Sequence, residues 1–156
     1  MIEARQDLWT AGADADAIVI TTNGTITGRR LGVMGRGCAL EAAERYNAET
    51  VRAGRRLWTL QRALGRYLEA NGNHVGVLVP PPPHTLVVFP VKHEWHQTAD
   101  VVLIHRSFDE LIQLADRLQW KRVVLPRPGC GNGGLTWEVV RPMALMLDDR
   151  FTVVTK

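Results

Sequence analysis

Two glycine-rich runs carry the spacing best suited to chemistry: Gly32-Val33-Met34-Gly35-Arg36-Gly37 and Gly129-Cys130-Gly131-Asn132-Gly133-Gly134. Glycine lets a backbone turn through positive φ and lets its amide N–H groups approach a ligand without a Cβ in the way. Each run follows an apolar stretch and precedes a helical one. A strand–loop–helix unit aims amides and the positive helix end at one spot, which suits phosphate. On a parallel sheet such loops gather at the carboxyl edge, so two of them suit a pyrophosphate held between. Neither run has the spacing of a Walker A loop or of the dinucleotide-binding GxGxxG fingerprint. Taken singly, each reads equally well as a turn; the pair is what points to a ligand.

Other polar residues are placed by the runs they end. Lys92 closes the apolar run 86–91, so its stem leaves the core near the same edge. Asn23 closes the run 17–22, although Asn23-Gly24 is also a common turn pair. His93 and His96 have the chemistry of proton shuttles, or form a solvated surface pair. His74, His84 and His105 sit on separate segments without carboxylate partners, so no metal site is expected. Trp9, Trp58, Trp95, Trp120 and Trp137 read as packing residues, with Trp95, just past Lys92, the one expected to reach a ligand.

The elements behind these residues follow from periodicity. Runs 17–22, 75–79, 86–91, 122–125 and 151–155 are almost continuously apolar and β-branched, as strands covered on both faces are. Between them, 36–46, 49–70, 107–118 and 137–147 read as helices. Ser107 with Glu110 forms a capping box for the third, and Pro142 kinks or delays the fourth. The alternation predicts one domain over 1–156, with a three-layer α/β/α fold: a mixed, mainly parallel central sheet flanked by helices. Pro80 to Pro83 read as a stiff surface connection.

The chain has 156 residues, 46% hydrophobic and 22% charged, with net charge +3, ordinary values for a globular domain large enough to bury a core. No apolar run approaches the ~20 residues of a membrane span, and no apolar segment of a signal peptide opens the chain. Cys38 and Cys130 are both read as lying inside the glycine-rich loops, without disulfide or metal spacing, so a reduced, cytoplasmic setting is expected. If residues 45–66 form one helix, Arg45, Arg52, Arg55, Arg56, Arg62 and Arg66 share a face. Such a stripe fits nucleic-acid phosphates, and equally a solvated helix face.

A family resemblance rests on these residues. Asp16-Ala17-Ile18-Val19 leading to Thr22-Asn23 and the first glycine loop resembles the first half of a macrodomain. The run from Pro126-Arg127-Pro128 through the second loop to Leu135-Thr136-Trp137 resembles the second half. The segment Phe89-Pro90-Val91-Lys92-His93-Glu94-Trp95 is similar to the branch holding the DNA ADP-ribosyl glycohydrolase antitoxins and the terminal ADP-ribose glycohydrolases. The resemblance implies a domain that binds ADP-ribose or an ADP-ribosylated group and hydrolyses it from a nucleobase, nucleoside or protein, without metal or cofactor. It places Asp7 and the adjoining Leu8 at the adenine, Asn23 at the distal ribose, and both loops (Gly32, Val33, Met34, Gly35; Gly129, Cys130, Gly131, Asn132, Gly133, Gly134) on the diphosphate. Lys92, with Asn23, then stands at the bond to be broken; partial desolvation there would favour a neutral amine able to attack C1″ or take a proton.

The sequence also departs from the pattern. Residues 24–30 after Asn23 are longer than in the antitoxins, and so is the stretch from Trp95 to Ser107. Gly133 stands where the terminal ADP-ribose glycohydrolases carry a catalytic aspartate, which disfavours a two-residue mechanism. The rivals are a non-catalytic ADP-ribose-binding module, in which Lys92 is a solvated cation or a phosphate contact, and an interaction domain whose loops are only turns. On every reading a monomer without membrane contact is expected, with nucleic acid as a possible partner.

Overall fold

The computed structural model describes residues 1–55 and 57–156. The elements are β1 (Ile2–Arg5), α1 (Leu8–Ala11), β2 (Ala17–Asn23), α2 (Gly37–Arg52), α3 (Leu60–Asn71), β3 (Gly76–Val79), β4 (Thr85–Lys92), α4 (Val101–Arg117), β5 (Val123–Pro126), α5 (Trp137–Ala144) and β6 (Phe151–Thr155). They build a six-stranded sheet in the order β1-β6-β5-β2-β4-β3. All neighbouring pairs are parallel except β3 against β4. The expected three-layer, mainly parallel arrangement is what forms.

The inner strands are apolar on both faces because both faces are covered. Ala17 and Val19 of β2 pack with Val87, Phe89 and Leu125 against Ile104, Phe108 and Leu111 of α4 and Val140 of α5. Ile18 and Ile20, one residue out of step, pack with Leu86 and Val88 against Leu8, Ala42, Leu60 and Leu64 from α1, α2 and α3. That two-residue alternation divides one strand between two cores. Phe89 and Phe108 meet edge-on with centroids 5.2 Å apart, a contact worth about 0.5–1.5 kcal/mol beyond burial.

Three expectations are corrected. The helix of residues 107–118 begins earlier, at Val101, with Asp100 as its cap, accepting from the N–H groups of Val102 (2.8 Å) and Leu103 (3.3 Å). Ser107 is therefore mid-helix and fully buried, and its hydroxyl donates to the Pro90 carbonyl at 2.8 Å. Glu110 instead ties α4 to the approach to β3, accepting from the Val75 N–H at 2.8 Å and meeting His74 and Arg106. Second, 45–66 is not one helix: α2 ends at Arg52, Gly54 follows at φ 74°, and α3 starts afresh at Leu60 with Thr59 accepting from the Arg62 N–H. Arg56 lies outside the described residues. Third, α5 starts on time at Trp137 and carries Pro142 in its last turn, where the helix stops two residues on. The edge strand β1 and the one-turn helix α1 were not anticipated.

Parallel pairing has one consequence for the site. The segments that leave the carboxyl ends of β1, β6, β5, β2 and β4 all emerge at one edge. At about 4.8 Å per strand, β1 and β4 stand roughly 19 Å apart along that edge.

Candidate functional site

A cleft of about 720 Å³ opens at this edge, floored by Thr21, Thr22 and Asn23 of β2 and walled by both glycine runs. The runs touch: a Cβ on Gly37 would lie 3.3 Å from the Asn132 side-chain nitrogen. Val33, Met34, Gly35, Gly129, Cys130, Asn132, Gly133 and Gly134 all line the cleft, so the expected loops converge. Gly32 and Gly131 are not among its lining residues.

The first loop is held from below. The Asn23 side chain donates to the Val33 carbonyl at 3.1 Å and accepts from the Thr25 N–H at 3.0 Å. Asn23 therefore shapes the loop as well as facing the cleft. Met34 buries its side chain in the core, leaving its backbone to the cleft. Around Gly35 there is open space where a Cβ would go, whereas a Cβ on Gly32 would come within 2.5 Å of Leu64. Gly32 is thus a packing glycine, fastened to α3 by a 2.9 Å bond from its N–H to the Gln61 carbonyl. The loop leads into α2, whose cap residue Arg36 offers no side-chain acceptor. The first-turn N–H groups of a long helix are left facing the cleft, where an anion is favoured.

The second loop is shaped by left-handed backbone at Gly129, Gly131 and Gly134 (φ 73°, 67° and 78°), around a 3₁₀ turn at Gly131–Gly133. It is pinned by the Ala99 N–H donating to the Gly133 carbonyl at 2.8 Å, and Gly129 sits against Ile104.

Lys92 lies beside Asn23: the two are cross-strand partners at the ends of β4 and β2. Its Nζ donates to the Asn132 carbonyl at 3.0 Å and more weakly to the Trp95 carbonyl at 3.5 Å. These two acceptors leave one tetrahedral position of the nitrogen uncommitted. Trp95 lines the cleft with 56% of its surface exposed, and its N–H is held by the Thr25 hydroxyl at 2.9 Å. The same hydroxyl donates to Glu94 at 2.8 Å, so the long 24–30 segment clamps the 94–95 turn. His96 lines the cleft, whereas His93 turns to Asp100 at 3.0 Å.

Asp7 stands farther along the same edge, after β1, outside the lining of the cleft. One carboxylate oxygen caps α1, accepting from Trp9 (3.0 Å) and Thr10 (3.2 Å), and the other faces Lys156 at 3.3 Å. Burial pushes this carboxyl up, but the Thr10 N–H, the Lys156 ammonium and the Trp9 N–H more than offset it, and its pKa ends below the usual aspartate value. It is ionised at neutral pH. Leu8 has its side chain in the core, so only its backbone is available to a ligand there.

The thiols are poor nucleophiles here. Burial raises Cys38 above its ordinary pKa despite the Thr21 N–H and hydroxyl at 3.3 Å, and burial likewise raises Cys130. Sequence reasoning missed Thr22, whose buried hydroxyl lacks a protein partner among the described residues, Arg127, which lines the cleft, and Thr25, which reaches the site only through its bond to Trp95. Thr22 had a signal as a polar residue near the end of an apolar strand, and Arg127 as part of the run that leads into the second loop. Among the described residues no cluster of His, Cys, Asp or Glu could hold a metal, and no helix is long and apolar enough to cross a membrane.

The chain is 28% identical over 128 residues, 82% of its length, to a DNA ADP-ribosyl glycohydrolase of Mycobacterium tuberculosis. It spans about a third of the length of that relative. Its fold is similar to the macrodomain of Mycobacterium tuberculosis DarG, with TM-score 0.75 and 24% identity, covering 99% of this chain and 97% of the other. It is also similar to Thermosipho africanus DarTG in complex with ADP-ribose, with TM-score 0.69 and 16% identity over 97% of this chain and 40% of that one. The macro domain family model matches residues 21–144, and the chain belongs to that family.

Proposed function

We propose that the cleft binds ADP-ribose or an ADP-ribosylated group, and that Lys92 takes part in releasing it from a nucleobase, nucleoside or protein. One observation carries the reading: Lys92 Nζ lies in the cleft between the second loop and the Trp95 turn, next to Asn23. A diphosphate between the two loops would face the amides of Gly35 and Gly133 and the α2 N-terminus. The roughly 19 Å from β1 to β4 is a span on which an adenine near Asp7 and a distal ribose near Lys92 fit at opposite ends. Relatives named for this hydrolysis and a fold neighbour solved with ADP-ribose support the assignment.

In the reaction, the bond from C1″ to the attached group breaks, water supplies hydroxyl to C1″, and its proton goes to the leaving group. Lys92 would move that proton, or would first attack C1″ of the opened ribose and expel the attached group, with water then cleaving the N–C1″ bond to free the lysine. The leading rival, a binding module, is favoured by one fact: both Lys92 hydrogen bonds end on main-chain carbonyls, as in a strut between loops. Kinetics separates the two. Lys92→Ala should abolish turnover of an ADP-ribosylated nucleoside or DNA while ADP-ribose affinity stays within a few-fold. Turnover that survives the substitution, with affinity lost, would assign Lys92 to binding.

A further inference from the structure

A second groove, also about 720 Å³, lies away from the cleft, at the other end of α2. Gly37 and Ala39 at the start of α2 line the cleft, whereas Arg45, Glu49 and Arg52 toward its end line the groove. The helix is 16 residues long, so its ends are roughly 24 Å apart. The opposite wall is the end of β3 and the connection Pro80, Pro82, Pro83 and His84.

The groove combines exposed cations with aromatic rings. Arg45, Arg52 and Arg55 line it together with Trp9, Tyr46 and Trp58. Among the described residues none of these arginines meets a carboxylate, unlike Arg30, Arg106, Arg122, Arg127, Arg141 and Arg150. Glu49 is the single carboxylate among the described lining residues. The rings are held in place: Trp9 donates to Glu41 at 2.9 Å and carries the Arg45 guanidinium 4.8 Å above its centroid. Tyr46 lies 3.4 Å from His84, and burial lowers the pKa of that imidazole, so it is neutral and adds no charge. All three rings also pack on the core beneath α2 and α3, and each leaves part of its surface to the groove.

Guanidinium groups without carboxylate partners among the described residues, set beside aromatic rings, match one ligand chemistry, a single-stranded polyanion whose phosphates pair with arginine and whose bases stack. An acidic polypeptide would use the charges and leave the rings idle. We propose that this groove is a second site, binding the backbone and bases of single-stranded nucleic acid without regard to sequence. Its occupation depends neither on ADP-ribose nor on catalysis in the cleft.

The test is fluorescence anisotropy with a short, unmodified, labelled oligothymidylate at low salt, repeated over a salt series. The wild type should bind, and Arg52→Glu combined with Arg55→Glu should weaken binding at least tenfold. The same variant should flatten the log–log salt slope by roughly 1.4, about 0.7 for each single-strand phosphate that is no longer neutralised. Trp58→Ala should weaken binding about fivefold or more, and Trp58→Phe much less. Saturating ADP-ribose should leave oligonucleotide affinity unchanged, and the double variant should bind ADP-ribose as the wild type does. Should the double reversal lose ADP-ribose binding too, Arg52→Ala and Arg55→Ala singly should each still remove roughly 0.7 from the slope. Oligonucleotide affinity untouched by the arginine variants would overturn the proposal. So would displacement by ADP-ribose, which puts the strand in the cleft, or displacement by polyglutamate as readily as by unlabelled oligonucleotide, which makes the groove a site for acidic protein.

Discussion

The two glycine loops meet at one cleft but need their glycines for different reasons. In the first run, left-handed backbone occurs only at Gly37, and Gly32 is required because Leu64 leaves no space for a Cβ. In the second, Gly129, Gly131 and Gly134 all have positive φ, and a Cβ on Gly129 would also meet Ile104, Ala99 and Leu135. The first loop is set by what it packs on, including the Asn23 amide beneath Val33; the second is set by its own backbone. A glycine in a motif is therefore not yet a ligand contact. Gly35, with neither steric neighbour nor positive φ, is the position where only a ligand would object to a side chain.

Single alanine substitutions test that division by urea unfolding. Gly129→Ala should cost most, about 2–5 kcal/mol, from a left-handed residue with a Cβ (~1–2 kcal/mol) and overpacking against Ile104 (~1–3 kcal/mol). Gly32→Ala carries only the overpacking against Leu64, about 1–3 kcal/mol. Gly131→Ala, left-handed but in open space, should cost about 1–2 kcal/mol. Gly35→Ala should change stability by no more than about 0.5 kcal/mol, yet weaken ADP-ribose binding about tenfold if its backbone lies against phosphate. Equal stability losses at Gly35 and Gly129 would erase the distinction.

Much of this was legible because burial leaves a plain trace. Strands covered on both faces show as unbroken apolar runs, and β2, β4, β5 and β6 were found within one or two residues of where they lie. The paired loops were legible for the same reason, since each follows such a strand. Elements of four residues left no comparable trace: β1 is mostly exposed, and α1 is held by the Asp7 cap and tertiary packing. Ser107 misled because a serine three residues before a glutamate fits a capping box, while the true cap, Asp100, stands about two helical turns farther upstream. Within the site, residue types predicted what lines the cleft better than what each residue does there. The Asn23 bond to Val33, the Thr25 clamp on Trp95 and the Lys92 bond to Asn132 join segments up to 70 residues apart, which no local pattern encodes.

In the proposed binding mode, this edge of the sheet reads an ADP-ribose from Asp7 at one end to Lys92 at the other. Calorimetric titration with ADP-ribose tests it, on the wild type and on Asp7→Asn. Asparagine keeps an oxygen for the α1 cap but puts N–H donors where the carboxylate oxygen that faces Lys156 would accept from an adenine amino group. The wild type should bind one-to-one, and the variant roughly ten- to a hundredfold more weakly, the loss of one charged hydrogen bond. Binding undiminished in Asp7→Asn would remove Asp7 from the site, and no heat of binding to the wild type would reduce both loops to turns and contradict the account.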